Sequence, residues 1–275
     1  MKQKASRIDY AKAMLPRTRK AQFGDCFKMN YMVLLKCGLF LFLFSLPLIA
    51  YCMFGDFFYV SLMSHTTEEV EQTRNLFYYF LYGGIVLLSL PIFVAISGVT
   101  HVLRNLIWGE GIFFMDDFKN GIKQNAGKNV IFGFITGVIF FASYFVFSLF
   151  SALIISYIPL VFFTLVFFPV YFWMLYLNNI YDSKWTALVR NGFFFYIKTL
   201  GWSFLGILMP LSLASLILIN DLMLVWLKYI ILILFFIFVF PIIFLIMTLY
   251  TTSKFDQYIN QEYYPDFYLK GLNHD

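Results

Sequence analysis

The chain has 275 residues, of which 61% are hydrophobic and only 13% are charged, and its net charge is +5. This number of charged side chains cannot cover the surface of a soluble globule of the same size, which excludes most soluble classes of protein. The composition is typical of an all-α integral membrane protein.

Six long apolar stretches divide the chain. Each is near or above the ~20 residues that a helix needs to cross a hydrocarbon core of ~30 Å. Because no water is available there, each stretch must satisfy its own backbone hydrogen bonds as a helix. The sequence therefore predicts a polytopic bundle of six transmembrane helices, at residues 32–54, 77–102, 129–155, 157–177, 200–219 and 222–250.

The distribution of Lys and Arg predicts how this bundle is oriented. All of them except Arg74 and Lys228 lie before or at the start of span 1, between spans 2 and 3, between spans 4 and 5, or after span 6. The positive-inside rule then places both termini in the cytoplasm and the bundle in the cell membrane as a multi-pass protein. Three regions follow: a basic cytoplasmic leader at 1–31, a transmembrane domain at 32–250 and a cytoplasmic tail at 251–275.

The loop at 55–76 is predicted to face the outside, and the charges of its central part are acidic apart from Arg74. His65 stands next to these acidic residues and is a candidate cation ligand. A solvated surface histidine is the favoured interpretation.

The segments after span 2 and after span 4 share a pattern. Each contains Leu-x-Asn followed by Leu or Ile, at 103–106 and 177–180, and later an apolar–basic–Asn–Gly–apolar block, at 118–122 and 189–193. One interpretation is that spans 2–3 and 4–5 are two same-facing copies of one unit, since parallel repeats occur in transporters. The other is a chance match of two short motifs.

Both segments also have the periodicity of an amphipathic helix, and we expect each to form a helix that lies in the inner membrane interface. The apolar positions are Phe114, Phe118 and Ile122 in the first segment and Trp185, Leu188, Val189, Phe193 and Tyr196 in the second. The polar positions are Asp116, Asp117, Lys119 and Lys123 in the first and Lys184, Arg190 and Lys198 in the second.

Five prolines fall inside the apolar stretches and are candidate helix kinks, because proline removes a backbone hydrogen bond and its ring clashes with the preceding turn. They are Pro47, Pro91, Pro169, Pro210 and Pro241. Spans 1 and 2 share Ser-Leu-Pro, and spans 4 and 6 share Phe-Pro. Such kinks either open a cavity at mid-membrane or shape the packing of the helices, and packing is the favoured interpretation.

The chemistry of the spans argues against catalysis and ion pumping. No mid-span position carries an ionisable side chain, whereas proton relays and pumps need one. The neutral hydroxyls are expected to bond to backbone or to other helices rather than to a solute; they include Ser45, Ser89, Ser97, Thr136, Ser143, Thr164, Ser203 and Ser212. No catalytic, phosphate-binding or metal-binding motif is present, so we predict no enzyme activity, no cofactor, no metal and no nucleic-acid partner.

Several short motifs resemble a known family. Asn30 and Leu34-Leu35 lead into Phe-Ser-Leu-Pro at 44–47, and Gly-Val-Thr-His-Val-Leu-Arg-Asn follows at 98–105. The remaining matches are Asp117-Phe118, Lys123, Asn125 and Leu-Val-Arg-Asn at 188–191. In these residues, over about 26–200, the chain resembles the YesL-like family of uncharacterised bacterial integral membrane proteins.

The resemblance implies no activity. It implies a bacterial inner membrane and genes that lie beside carbohydrate-uptake and polysaccharide-degradation systems. The chain differs from the family pattern after the first Leu-Pro, where an acidic outer loop replaces a stretch rich in Thr, Gly and Ala.

These observations lead to the hypothesis of a non-catalytic accessory or regulatory component associated with carbohydrate uptake. The alternative is a permease for a small neutral solute. The candidate cytoplasmic contact or structural lock comprises Arg104, Asn105, Asp117, Phe118, Asn120, Lys123, Arg190 and Asn191. A third interpretation treats the Asn and Arg residues as local caps and interfacial anchors only.

Overall fold

The computed structural model describes residues 2–3, 15–63, 68–150, 153–203 and 222–273. These residues are almost entirely helical. The helices of the first half are α1 (Arg19–Met29), α2 (Tyr31–Met63), α3 (Glu68–Leu88), α4 (Leu90–Ile107) and α5 (Phe114–Leu149). Those of the second half are α6 (Ile158–Phe162), α7 (Phe168–Ile180), α8 (Trp185–Lys198), α9 (Leu200–Ser203), α10 (Leu222–Leu234), α11 (Phe240–Phe255) and α12 (Gln261–Tyr263).

Five described stretches are long and apolar enough to cross a membrane, which confirms the prediction of membrane-spanning helices. They are Tyr31–Phe58, Tyr79–Ile107, Phe114–Leu149, Ile154–Ile180 and Trp226–Tyr263. The predicted span at 200–219 falls mostly at 204–221, outside the described residues. Large apolar side chains such as Phe80, Ile154 and Trp226 are exposed on the bundle, as expected of surfaces that face lipid.

The first predicted interfacial helix does not exist as a separate element, so that prediction was wrong. Residues 114–128 are the first turns of α5, a continuous helix of 36 residues that is about 54 Å long. No proline interrupts it, and the Asp117 carboxylate accepts a hydrogen bond from the Phe113 N–H at 2.9 Å, which stabilises its N-terminus. Residues 129–149 carry no charge and are by themselves long enough to cross a hydrocarbon core.

The second predicted interfacial segment does form a helix of its own, α8, with Leu188, Gly192 and Phe195 buried. Gly192 packs against Val170 and Met174 of α7. Lys184, Arg190 and Lys198 are exposed, as the periodicity predicts, but Val189 and Phe193 are exposed as well. Its position relative to a membrane interface stays a prediction.

Two of the five prolines follow irregular turns. A π-helical turn at Phe163–Phe167 precedes Pro169, and another at Phe235–Val239 precedes Pro241. Since proline offers no N–H and crowds the carbonyl four residues earlier, a wider turn before it relieves the clash.

Of the remaining prolines, Pro91 follows a break at Ser89, whereas Pro47 lies inside α2 without interruption. Pro210 lies outside the described residues.

Glycines bring the helices close together. Gly38 of α2 lies against the Ile237 carbonyl, so the first and last spans meet backbone to backbone. Gly133 and Gly137 form a G-x-x-x-G motif on α5 and pack against Phe93 and Val86. The motif therefore lies inside the bundle, where small residues let helices approach closely.

Both terminal regions pack at the end of the bundle that carries α1, which we call the inner end because the charge distribution predicts it to face the cytoplasm. Lys2–Gln3 pairs as an antiparallel strand with Tyr181–Asp182. The region predicted as a C-terminal tail, 251–275, continues the last spanning helix to Tyr263 and then turns across the end of α4. At the opposite end of α2, Asp56 accepts from Lys228 and, at 2.7 Å, from the Tyr229 hydroxyl.

Candidate functional site

Four asparagines form a buried hydrogen-bond network at the inner end of the bundle. Asn125 and Asn129 lie one turn apart on one face of α5, and Asn178 and Asn179 lie in the last turn of α7. The Asn178 amide donates to the Asn129 side-chain oxygen at 2.9 Å, and the Asn125 amide donates to that of Asn179 at 3.1 Å. All four are at most 1% exposed. The network therefore joins α5 to α7.

The same network reaches α4. The Asn129 amide donates to the Ser97 hydroxyl at 2.8 Å, and the Asn179 amide donates to the Thr100 carbonyl at 2.8 Å. The Ser97 hydroxyl in turn donates to the Phe93 carbonyl. Because buried polar groups stabilise a fold only when they are paired, these bonds fix the register of three helices.

Arg104 is the charged centre of the network and is 1% exposed. One guanidinium nitrogen donates to the Asn179 carbonyl at 2.7 Å, and two others donate to the Asn105 side-chain oxygen at 2.9 and 3.2 Å. The guanidinium also lies 4.7 Å from the centre of the Trp108 ring. A planar cation with several donors and an aromatic surface suits such a position, where lysine would not.

A second polar cluster lies beyond the end of α4. The Lys270 ammonium donates to Glu110 at 2.7 Å and lies 4.4 Å from the centre of the Trp108 ring. Both side chains of the pair are at most 7% exposed. Burial lowers the pKa of Lys270, and the hydrogen bond from its ammonium to Glu110 opposes that shift. Trp108 is thus placed between two cations, Arg104 and Lys270.

The third cluster connects α1 to the last helix. Arg19 donates to Asp256 at 2.7 Å, and the same carboxylate accepts from the Asn260 amide at 2.8 Å and from the Leu269 N–H at 3.3 Å. Asn260 accepts from the Tyr181 hydroxyl, whose pKa burial raises.

The residues predicted from the sequence divide into two groups. Arg104, Asn105, Asp117 and Phe118 are buried, and Phe118 packs edge-on against Phe40. Asn120, Lys123 and Arg190 are exposed, and Asn191 is half-buried. The structure therefore places the first group in the core and the second on the surface.

Sequence reasoning missed several residues of these clusters. Asn178 and Asn179 were visible in the Leu-x-Asn pattern but were not assigned a role, and the amide pair at positions 125 and 129 at helical spacing was a further signal. Nothing local marks Glu110, Lys270 or Asp256, because their partners lie far away in the chain.

The span hydroxyls bond to the backbone of their own helices. Ser45, Ser89, Ser97, Thr136, Ser143 and Thr164 each donate to a carbonyl three or four residues earlier, at 2.7–2.9 Å. This is the arrangement expected from the sequence. The side chains of Ser203 and Ser212 lie outside the described part.

Among the described residues, no group of three or more His, Cys, Asp and Glu side chains is arranged to hold a metal ion. Comparisons with protein families, with curated proteins and with solved structures find no match to this chain.

Proposed function

We propose that the protein is a non-catalytic accessory or regulatory membrane component that contacts a partner through its inner end. The observation that carries the proposal is the arrangement of the polar residues at the inner end of the bundle. The buried ones, centred on Arg104, bond to one another and stabilise a rigid base, and Asn120, Lys123 and Arg190 are exposed around it.

The same observation favours this proposal over a permease for a small neutral solute. A solute path through the bundle needs polar groups that are free to exchange partners with the solute. The described span hydroxyls donate instead to their own helix backbones, as Thr136 does to Phe132 at 2.7 Å. The permease hypothesis is excluded if the protein does not alter solute flux into proteoliposomes for any member of a broad panel of sugars and polyols.

The proposal includes a sixth span and a cytoplasmic inner end. α8 begins at the inner end, where the Lys128 ammonium donates to the Ser183 carbonyl at 2.8 Å. The first helix described after residue 203, α10, contacts Asp56 at the opposite end through Lys228. The chain has to return between them, and the apolar stretch at 200–219 is long enough to cross.

Cysteine labelling tests this topology. We expect single cysteines at positions 120 and 191 to react with a membrane-impermeant maleimide only in inside-out vesicles. Labelling of either one from outside intact cells would contradict the predicted orientation and the docking surface with it.

As partner we propose a component of a carbohydrate transport system, which rests on the family resemblance of the sequence. Affinity capture from cells grown on an inducing sugar tests it. We expect the wild type to recover transporter subunits, and Arg190→Ala combined with Lys123→Ala to lose them at unchanged expression. Lys20→Ala, an exposed lysine on α1, is the control. Recovery of no transporter subunit, or equal recovery by all variants, contradicts the proposal.

A further inference from the structure

The strongest structural feature outside the asparagine network is the junction of the two chain termini. Residues 264–273 leave the last spanning helix, cross the end of α4 and lie against α1. The Asn273 N–H donates to the Pro16 carbonyl at 3.0 Å, so the C-terminal segment is hydrogen-bonded to the segment that leads into α1.

Side chains of α1 complete this junction. Gln22 donates to the Ile107 carbonyl and, at 3.0 Å, to the Gly271 carbonyl. Arg19 donates to the Lys270 carbonyl at 3.1 Å as well as to Asp256. One helical face of α1 therefore bridges the end of α4 and the C-terminal segment.

Two ion pairs hold the junction, Glu110–Lys270 buried and Arg19–Asp256 partly buried, and each joins segments distant in sequence. Glu110–Lys270 joins the turn after α4 to the C-terminal segment, and Arg19–Asp256 joins α1 to the last helix. An intact buried ion pair stabilises a fold little more than an apolar contact in its place would. Removing one partner is nevertheless strongly destabilising, because it leaves an uncompensated buried charge. Removing one partner of either pair is therefore expected to weaken the junction.

The backbone of the C-terminal segment is also strained. Leu269 adopts a left-handed conformation with φ 51°, which costs a residue with a Cβ free energy. Gly271, at φ 81°, lies so close to the Ile107 carbonyl that a Cβ would overlap it. A strained segment outside the apolar spans can open into water, unlike the spans themselves.

We propose that α1 and residues 264–273 form a latch: they open and close together as one cooperative unit while the spanning helices stay folded. Opening uncovers Trp108, Glu110 and the inner end of α4. Because residues 264–273 directly continue the last spanning helix, the state of the latch also alters the restraint on that helix at the inner end. The latch does not depend on the identity of any partner.

Hydrogen exchange of the full-length protein in detergent or nanodiscs tests the latch. Glu110→Gln removes the carboxylate to which the buried Lys270 ammonium donates. We expect exchange at 19–29 and at 264–272 to rise together, on the order of a hundredfold, with 129–149 unchanged. Lys254→Gln is the matched control, because this lysine donates to the exposed side chain of Gln257 at 3.1 Å.

Three outcomes would overturn the latch. They are a rise at 264–272 without one at 19–29, an equal rise throughout the spans, and no change at either segment. If Glu110→Gln does not fold, exchange of the wild type in increasing denaturant decides the question. We then expect 19–29 and 264–272 to share one opening free energy, below that of the spans. Glu110→Lys combined with Lys270→Glu is expected to restore protection relative to either single change.

Discussion

The hairpin of α4 and α5 and the hairpin of α7 and α8 carry the same short sequence pattern, and the shared residues occupy equivalent places. The Asn of Leu-x-Asn, Asn105 or Asn179, is buried at the end of the first helix in both. The glycine of the second block, Gly121 or Gly192, packs against that first helix in both. The pattern thus specifies how each hairpin packs within itself, which is consistent with an internal duplication.

The two hairpins differ at the residue before the buried asparagine, which is Arg104 in one and Asn178 in the other. Arg104 donates to the Asn179 carbonyl of the second hairpin, and Asn178 donates to Asn129 of the first. The shared residues therefore form the hairpins, and the residues that differ join them.

The largest effect is expected from removing the charge that joins the hairpins. Arg104→Met leaves the Asn179 carbonyl and the Asn105 oxygen without this donor in a buried site. We expect a loss of about 3 kcal/mol or more in unfolding free energy, measured by denaturant titration in mixed micelles. Arg190→Met, at an exposed arginine of the second hairpin, should change it by less than about 0.5 kcal/mol. Equal losses would contradict the distinction between the two arginines.

The reciprocal bond from the second hairpin is expected to contribute less, because it is uncharged. Asn178→Ala removes the amide that donates to Asn129, so the Asn129 side-chain oxygen loses one hydrogen bond. We expect a loss of about 2 kcal/mol in the same titration. Asn120→Ala, at an exposed asparagine of the first hairpin, is the control and should have no measurable effect. If Asn178→Ala leaves the unfolding free energy unchanged, the network does not stabilise the bundle.

The glycines test whether the two hairpins pack equally tightly. An added Cβ at Gly121 meets the His101 Cβ at 2.5 Å and then backbone atoms of Ser97 and Gly98, none of which can move without the helix. At Gly192 the nearest atom is the flexible Met174 Cγ at 2.7 Å, and the Val170 carbonyl is 3.2 Å away. We expect Gly121→Ala to destabilise by about 2 kcal/mol and Gly192→Ala by less than half of that. Thermal melting of the two variants side by side measures the difference, and the reverse order would contradict the packing described.

The smallest effect, of opposite sign, is expected at Gly127 of α5. No atom lies within 4 Å of a Cβ built there, so alanine meets no obstacle and improves helix propensity. We expect Gly127→Ala to stabilise by about 0.5 kcal/mol, seen as a small rise in melting temperature. A loss of stability would mean that α5 is not continuous through this position.

How far the sequence predicted the structure differed between these regions. The amphipathic faces of residues 114–123 were largely predicted, because periodicity reports which side of a helix is buried. The sequence did not predict whether that helix ends before the span or continues into it. The segment contains Gly121 and Gly127, and a glycine lowers helix stability without necessarily ending a helix. The acidic residue at 117 was placed on the polar side and proved buried, because it satisfies the helix N-terminus.

The sequence by itself determined that this chain forms membrane-spanning helices, and where most of them lie. In hydrocarbon every backbone group must bond within its own segment, so local apolar length decides the structure. Only the tertiary structure decided which polar groups meet: the asparagine network, the burial of Arg104, and the pairing of Glu110 with Lys270 across 160 residues. Such contacts depend on how the helices pack, and packing is a property of the whole chain.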